Sequence, residues 1–110
     1  MRRIELIDGR GRVWAVEVPE TARERTRGLK RRDLLPAGTA MLFEHARSVH
    51  TVGMRFPITV AFLDRALGVV AVRRVPPGRI AARLRSVRHV LECPEHADVQ
   101  AGDRFLVLER

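Results

Sequence analysis

The stretch Ile58-Thr-Val-Ala-Phe-Leu63, led by Pro57 and closed by Asp64, constrains this chain more than any other segment. It is apolar on both faces of an extended backbone, the pattern of a strand covered on both sides. A strand of that kind belongs inside a core, with "DRALG" at 64–68 as the turn that follows and "VVAVRRV" returning as its partner. Pro57 fits the first position of such a strand, where no ladder hydrogen bond is lost.

The remaining segments repeat the theme. "RIELI" and "RVWAVEV" flank Asp8-Gly9-Arg10-Gly11, a strong hairpin signal, and Trp14, Val16 and Val18 fall on one face at period two. "ETARERTRGL" reads as one short helix with Thr21 as N-cap and Gly28 as its stop. "LLPAG" at 34–38 is a turn before a strand "TAMLFE"; later "VRHVLEC" and "RFLVLE" read as strands around an irregular "PEHADVQAGD". Pro76-Pro77-Gly78 opens a loop expected to run to Ser86 and to be the most mobile internal segment. With 110 residues there is room for one core, so residues 1–110 are expected to form a single mainly β domain. A β-sandwich or barrel-like fold of about eight short strands and one short helix fits the spacing.

Four segments in order resemble the bacterial and archaeal family called domain of unknown function 192. They are "ERTRGLKRRDLLPAGTAMLFE", "HTVGMRFPITVAFLDRALGVV", "VLE" and "AGDR", together covering roughly residues 13 to 108. The resemblance implies a mainly β, sandwich-like domain with one short helix, and it implies no activity. Many members carry an aromatic-rich "FWMKNT" before the proline and an acidic residue where this chain has Thr59. A hydroxyl cannot replace a carboxylate as proton acceptor, which counts against an enzymatic role.

Composition narrows the function classes. The N-terminus has no apolar run of signal-peptide length and no segment approaches the roughly 18 apolar residues of a membrane span, so a cytoplasmic protein with no membrane partner is expected. The lone Cys93 cannot form an internal disulfide. The net charge of +8 rests on 20 Arg and the single Lys30, beside no Tyr and no Asn, a GC-rich coding pattern that accounts for part of the basicity.

Individual positions therefore say more than the total. In "HTVGMRFP", Gly53, Met54 and Pro57 have conformational or packing uses. His50, Thr51 and Arg55 can also meet an anionic or polyol ligand, and Arg27 of the Arg27-Gly28-Leu29 step is expected to converge on them. The leading expectation is a small non-catalytic binding module for an anionic or polar small ligand, needing no cofactor. The alternative is a nucleic-acid-associated basic protein, carried by Arg23, Arg25, Arg27, Lys30, Arg31 and Arg32 and by Arg73, Arg74, Arg79, Arg83, Arg85 and Arg88, although neither cluster holds a stacking aromatic. A third reading is an enzyme using His50 or Cys93. His89, Cys93 and His96 offer mixed ligands for a metal, but three ligands fall short of a structural zinc site and the spacing matches no strong motif, so no metal is assigned.

Overall fold

The computed structural model describes residues 1–83 and 85–109. Among them are nine strands and one helix. β1 (Arg2–Ile7) and β2 (Val13–Val18) form the expected hairpin. Its turn is held by the Asp8 carboxylate, which accepts from the Arg10 and Arg12 N–H groups, from Arg12 Nε at 2.8 Å and from Trp14 Nε1 at 3.1 Å. α1 (Ala22–Arg27) begins with a capping box: Thr21 accepts from the Glu24 N–H, and Glu24 reaches back to the Thr21 N–H.

β3 (Thr39–Glu44) then lies parallel to β2, so α1 and the loops around it make a crossover over one face of the sheet. Three contacts tie that crossover down. Arg32 grips Glu17 on β2 through both carboxylate oxygens, Arg25 donates to the Glu44 carbonyl at 3.1 Å, and Leu29 is buried beneath.

β5 (Ile58–Leu63) pairs with β6 (Val69–Val75) on one side and with β8 (His89–Pro94) on the other, while β8 also pairs with β3. The full order is β6-β5-β8-β3-β2-β1-β9, with β9 (Leu106–Val107) against β1. Laid flat, the edges of seven strands would stand about 29 Å apart at ordinary strand spacing. Here they touch: Val69 N–H donates to the Asp103 carbonyl at 2.7 Å, Phe105 N–H donates to that of Leu67, and Gly68 bridges Arg104. The sheet is thus curled into a partly closed barrel, with Trp14 edge-on to Phe105 among the residues of its inner core.

All six residues of β5 are buried, as its two-faced pattern requires. Ala61 and Leu63 join Leu42, Leu91, Cys93 and Phe105 in one core, whereas Ile58, Val60 and Phe62 join Met41, Phe43, Met54 and Val90 in a second. The second core is covered by the crossover and by a separate two-stranded ribbon of β4 (Ser48–His50) and β7 (Ile80–Ala82).

That ribbon corrects the expectation that 76–86 is an unpaired loop. Thr51 is the reason: its hydroxyl donates to the Pro76 carbonyl at 2.6 Å and accepts from the Arg79 N–H at 3.0 Å, which aligns Arg79 and its neighbours with β4. Leu84, within that stretch, lies outside the described residues. The last strand is shorter than "RFLVLE" suggests, because only Leu106 and Val107 pair in register with β1, Leu108 adding one N–H bond to the Glu5 carbonyl.

Two predictions follow from these polar anchors. Thr51→Val leaves the Pro76 carbonyl and the Arg79 N–H, both in part-buried hydrogen bonds, without their partner, and should lower stability by about 1–3 kcal/mol in denaturant melts; an unchanged midpoint would mean that water replaces the hydroxyl. Burial alone would raise the Asp8 pKa, but hydrogen bonds from Trp14, Arg12 and Arg10 bring it down from 3.8 to about 2. Its stabilising contribution is full above the unfolded value and is lost as pH falls towards 2, so Asp8→Ala should flatten the acid limb of the stability curve below about pH 4. Parallel acid limbs in wild type and variant would contradict this.

Candidate functional site

Gly28 ends α1 at φ 48°, and its N–H still donates to the Glu24 carbonyl, so the chain turns sharply after Arg27 and carries Leu29 into the second core. The turn runs close to β3, since a Cβ on Gly28 would stand 3.5 Å from the Phe43 ring. The bend after β4 meets the same place. Gly53, at φ 85°, presents bare backbone to the Lys30 stem, where a Cβ would stand 3.6 Å from Lys30 Cδ.

Between the two turns lies a small cavity of about 60 Å³. Its walls are apolar, from Leu29, Phe43, Val49 and Met54, and His50, Arg25, Arg27 and Lys30 stand around it. On β8, between Met41 of β3 and Val60 of β5, the cavity meets Glu92. This side chain is 3% exposed and, among the described residues, its carboxyl has neither hydrogen bond nor ion pair. Burial pushes its pKa from 4.5 up to about 8, so at neutral pH the group is mostly protonated.

Of the residues expected to form a site, Arg27 and His50 line this cavity. Thr51 lies outside it, with its hydroxyl committed to the ribbon loop. Arg55 also lies outside, exposed and paired with Asp33 at 2.9 Å. Glu92 was the residue the sequence concealed. It sits in "VLEC" at an alternate position of an otherwise apolar strand, and that misplaced charge is the one signal that could have exposed it.

Cys93 does not fit the nucleophile reading. It projects from β8 into the first core, away from the second core beside which His50 and Glu92 lie, and burial, followed by the Glu92 charge, pushes its thiol pKa up to about 12. His89 accepts a hydrogen bond at Nδ1 from the His45 N–H, His96 is exposed beside Glu95, and no cluster of three metal-ligating side chains occurs among the described residues.

A larger open groove of about 580 Å³ runs past Trp14, Leu35, Phe56 and Pro57. Its charged rim is satisfied internally, Arg12 by Asp8 and Asp98, and His96 by Glu95. The Glu92 cavity, by contrast, holds a buried polar group with no partner among the described residues. No helix among the described residues is long and apolar enough to cross a membrane.

The buried carboxyl makes stability depend on pH. With its folded pKa raised from 4.5 to about 8, Glu92 binds a proton in the native state that the unfolded chain releases, so stability is full below about pH 4.5 and declines until about pH 8. Glu92→Gln should remove much of that decline and stabilise the protein at pH 8.5 by up to a few kcal/mol. Identical pH profiles of the melting temperature would show that the carboxylate is solvated.

No curated protein matches the chain. Two solved structures share its fold. One, from Sinorhizobium meliloti and described as a "putative transcription regulator", is 22% identical with a TM-score of 0.79, covering 96% of this chain and 92% of the other. The second, a protein of unknown function from Novosphingobium aromaticivorans, is 17% identical, again with a TM-score of 0.79, covering 94% and 83%. The model of an uncharacterised family, described as "Uncharacterized ACR", matches residues 4–106, from the first strand to the last. The chain therefore belongs to that family, domain of unknown function 192.

Proposed function

We propose that this protein is a non-catalytic binding module that captures a small anionic ligand at the mouth of the Glu92 cavity. One observation carries the reading: Arg23, Arg27, Lys30 and Arg31 gather around a shallow depression beside α1, and among the described residues none of their side chains has an ion pair or hydrogen bond. Elsewhere the arginines divide: Arg73, Arg74, Arg83, Arg85 and Arg88 have no side-chain partner among the described residues, while others do. Arg2, Arg10, Arg12, Arg32 and Arg55 each meet a carboxylate. Four unanswered cations on one face, two of them shared with the cavity, suit a carboxylate or phosphate. Cys93, the strongest nucleophile in the chain, faces the other core, which is why binding is favoured over covalent catalysis.

A second reading, association with nucleic acid, draws on Arg73, Arg74, Arg79, Arg83, Arg85 and Arg88, all exposed. It requires DNA or RNA affinity that falls steeply with salt, and the absence of binding at low salt would end it.

Thermal-shift titration with inorganic phosphate and citrate tests the leading reading. Wild type should be stabilised by at least one of them, and Arg27→Ala combined with Lys30→Ala should weaken that response about tenfold or more. Arg55→Ala, which breaks an exposed pair outside the cavity, should respond like wild type. If no anion stabilises wild type, or the double variant responds equally, the cationic mouth is a solvated surface.

A further inference from the structure

Glu92 raises a demand that the cationic mouth does not meet. Its side chain lines the cavity beside Leu29, Phe43 and Met54, no described residue donates to its carboxyl, and the oxygens keep a little accessible surface. Leaving a buried carboxyl unanswered is costly, and an apolar side chain at this position would avoid the cost. The nearby cations do not answer it: Arg27 and Lys30 stand at the cavity without forming an ion pair to it. The Lys30 stem lies across Gly53, and the Arg25 guanidinium is committed to the Glu44 carbonyl and to the face of Phe43 at 5.7 Å.

We infer that the cavity selects anions that carry a primary ammonium on a short stem, with the ammonium entering to Glu92 and the anionic end remaining on Arg27 and Lys30. The inference rests on the anion-binding reading above and adds the chemistry of the ligand's other end. Size sets the first limit. A volume of about 60 Å³ is roughly two waters' share of liquid, so only a tip of a few heavy atoms can enter. Hydrogen bonding sets the second, since a tip that displaces water from a carboxyl must donate as water did. An ammonium offers three donors and also the charge that lets Glu92 ionise in place, whereas a hydroxyl offers one donor and no charge. A ligand satisfying both floor and mouth is consequently bipolar.

The test compares 2-aminoethyl phosphate, 2-hydroxyethyl phosphate, ethyl phosphate and inorganic phosphate by isothermal titration, on wild type and on Glu92→Gln. Wild type should bind 2-aminoethyl phosphate about tenfold or more tighter than its hydroxyl and ethyl counterparts, and Glu92→Gln should lose most of that preference while retaining phosphate binding. Equal affinity for the amine and hydroxyl compounds in wild type overturns the inference and leaves the anion site standing. No binding of any of the four removes both. The wild-type comparison needs no variant, so a folding defect in Glu92→Gln cannot mask the result. Vesicles containing phosphatidylethanolamine, run in parallel, separate a lipid headgroup from a free metabolite as the source of the same chemistry. Binding to either supports the inference.

Discussion

Alternation along β3, β5 and β8 sends side chains into two separate cores, and the sheet must accordingly be covered on both faces. Curling closes the first face on itself, as the contacts between residues 67–69 and 102–105 show. The second face cannot be closed in that way, because the curl turns it outward. The β2–α1–β3 crossover and the β4–β7 ribbon are two partial covers, and the cavity is the seam where they meet. Both glycines at the seam follow from this: Gly28 lets the crossover turn against Phe43, and Gly53 lets the ribbon bend pass beneath the Lys30 stem.

Glu92 occupies that seam at a position where alternation calls for an apolar residue. Its neighbours across the sheet, Met41 and Val60, obey the pattern. Hydrophobic burial on either side holds the strand in register, since a one-residue slip would turn Glu92 into the first core and send Val90, Leu91 and Cys93 to the wrong faces. The penalty of the buried carboxyl is therefore borne by the strand as a whole, and the group stays in position with no hydrogen bond of its own to hold it.

The sequence was most informative where one local signal and one periodicity agreed. The Asp8-Gly9 hairpin, the Thr21-to-Gly28 helix, "TAMLFE", "ITVAFL" and "VVAVRRV" all stand where their patterns place them, because each is closed by a turn or cap encoded within a few residues. The β4–β7 ribbon was illegible for the opposite reason. Its strands are three residues long, Ile80 is exposed, and what aligns them is Thr51, whose hydroxyl reaches across 25 residues to Pro76 and 28 to Arg79 and whose backbone also bonds Gly78 and Arg79. The candidate site was half legible. Arg27 and His50 could be singled out as polar residues without a core use, but Thr51 resembled them in type while serving the backbone, and Arg55 found a carboxylate in Asp33. Glu92 could not be weighed, since a single charged residue in a strand reads as solvent-facing until both neighbouring strands are known.

The position of β8 also governs the order in which the sheet can be completed. β1, β2 and β3 form one block and β5 with β6 forms another, and β8 is the strand that lies between them in the sheet. During synthesis both blocks can pair internally before residue 89 is available, yet each would expose an unpaired edge, β3 on one and β5 on the other. Insertion of β8 between those edges closes loops of some 45 residues on the β3 side and about 25 on the β5 side, a late and entropically slow event. It is the same event that draws Glu92 out of water, so the rate of the closing step is set in part by how readily one carboxyl gives up its hydration.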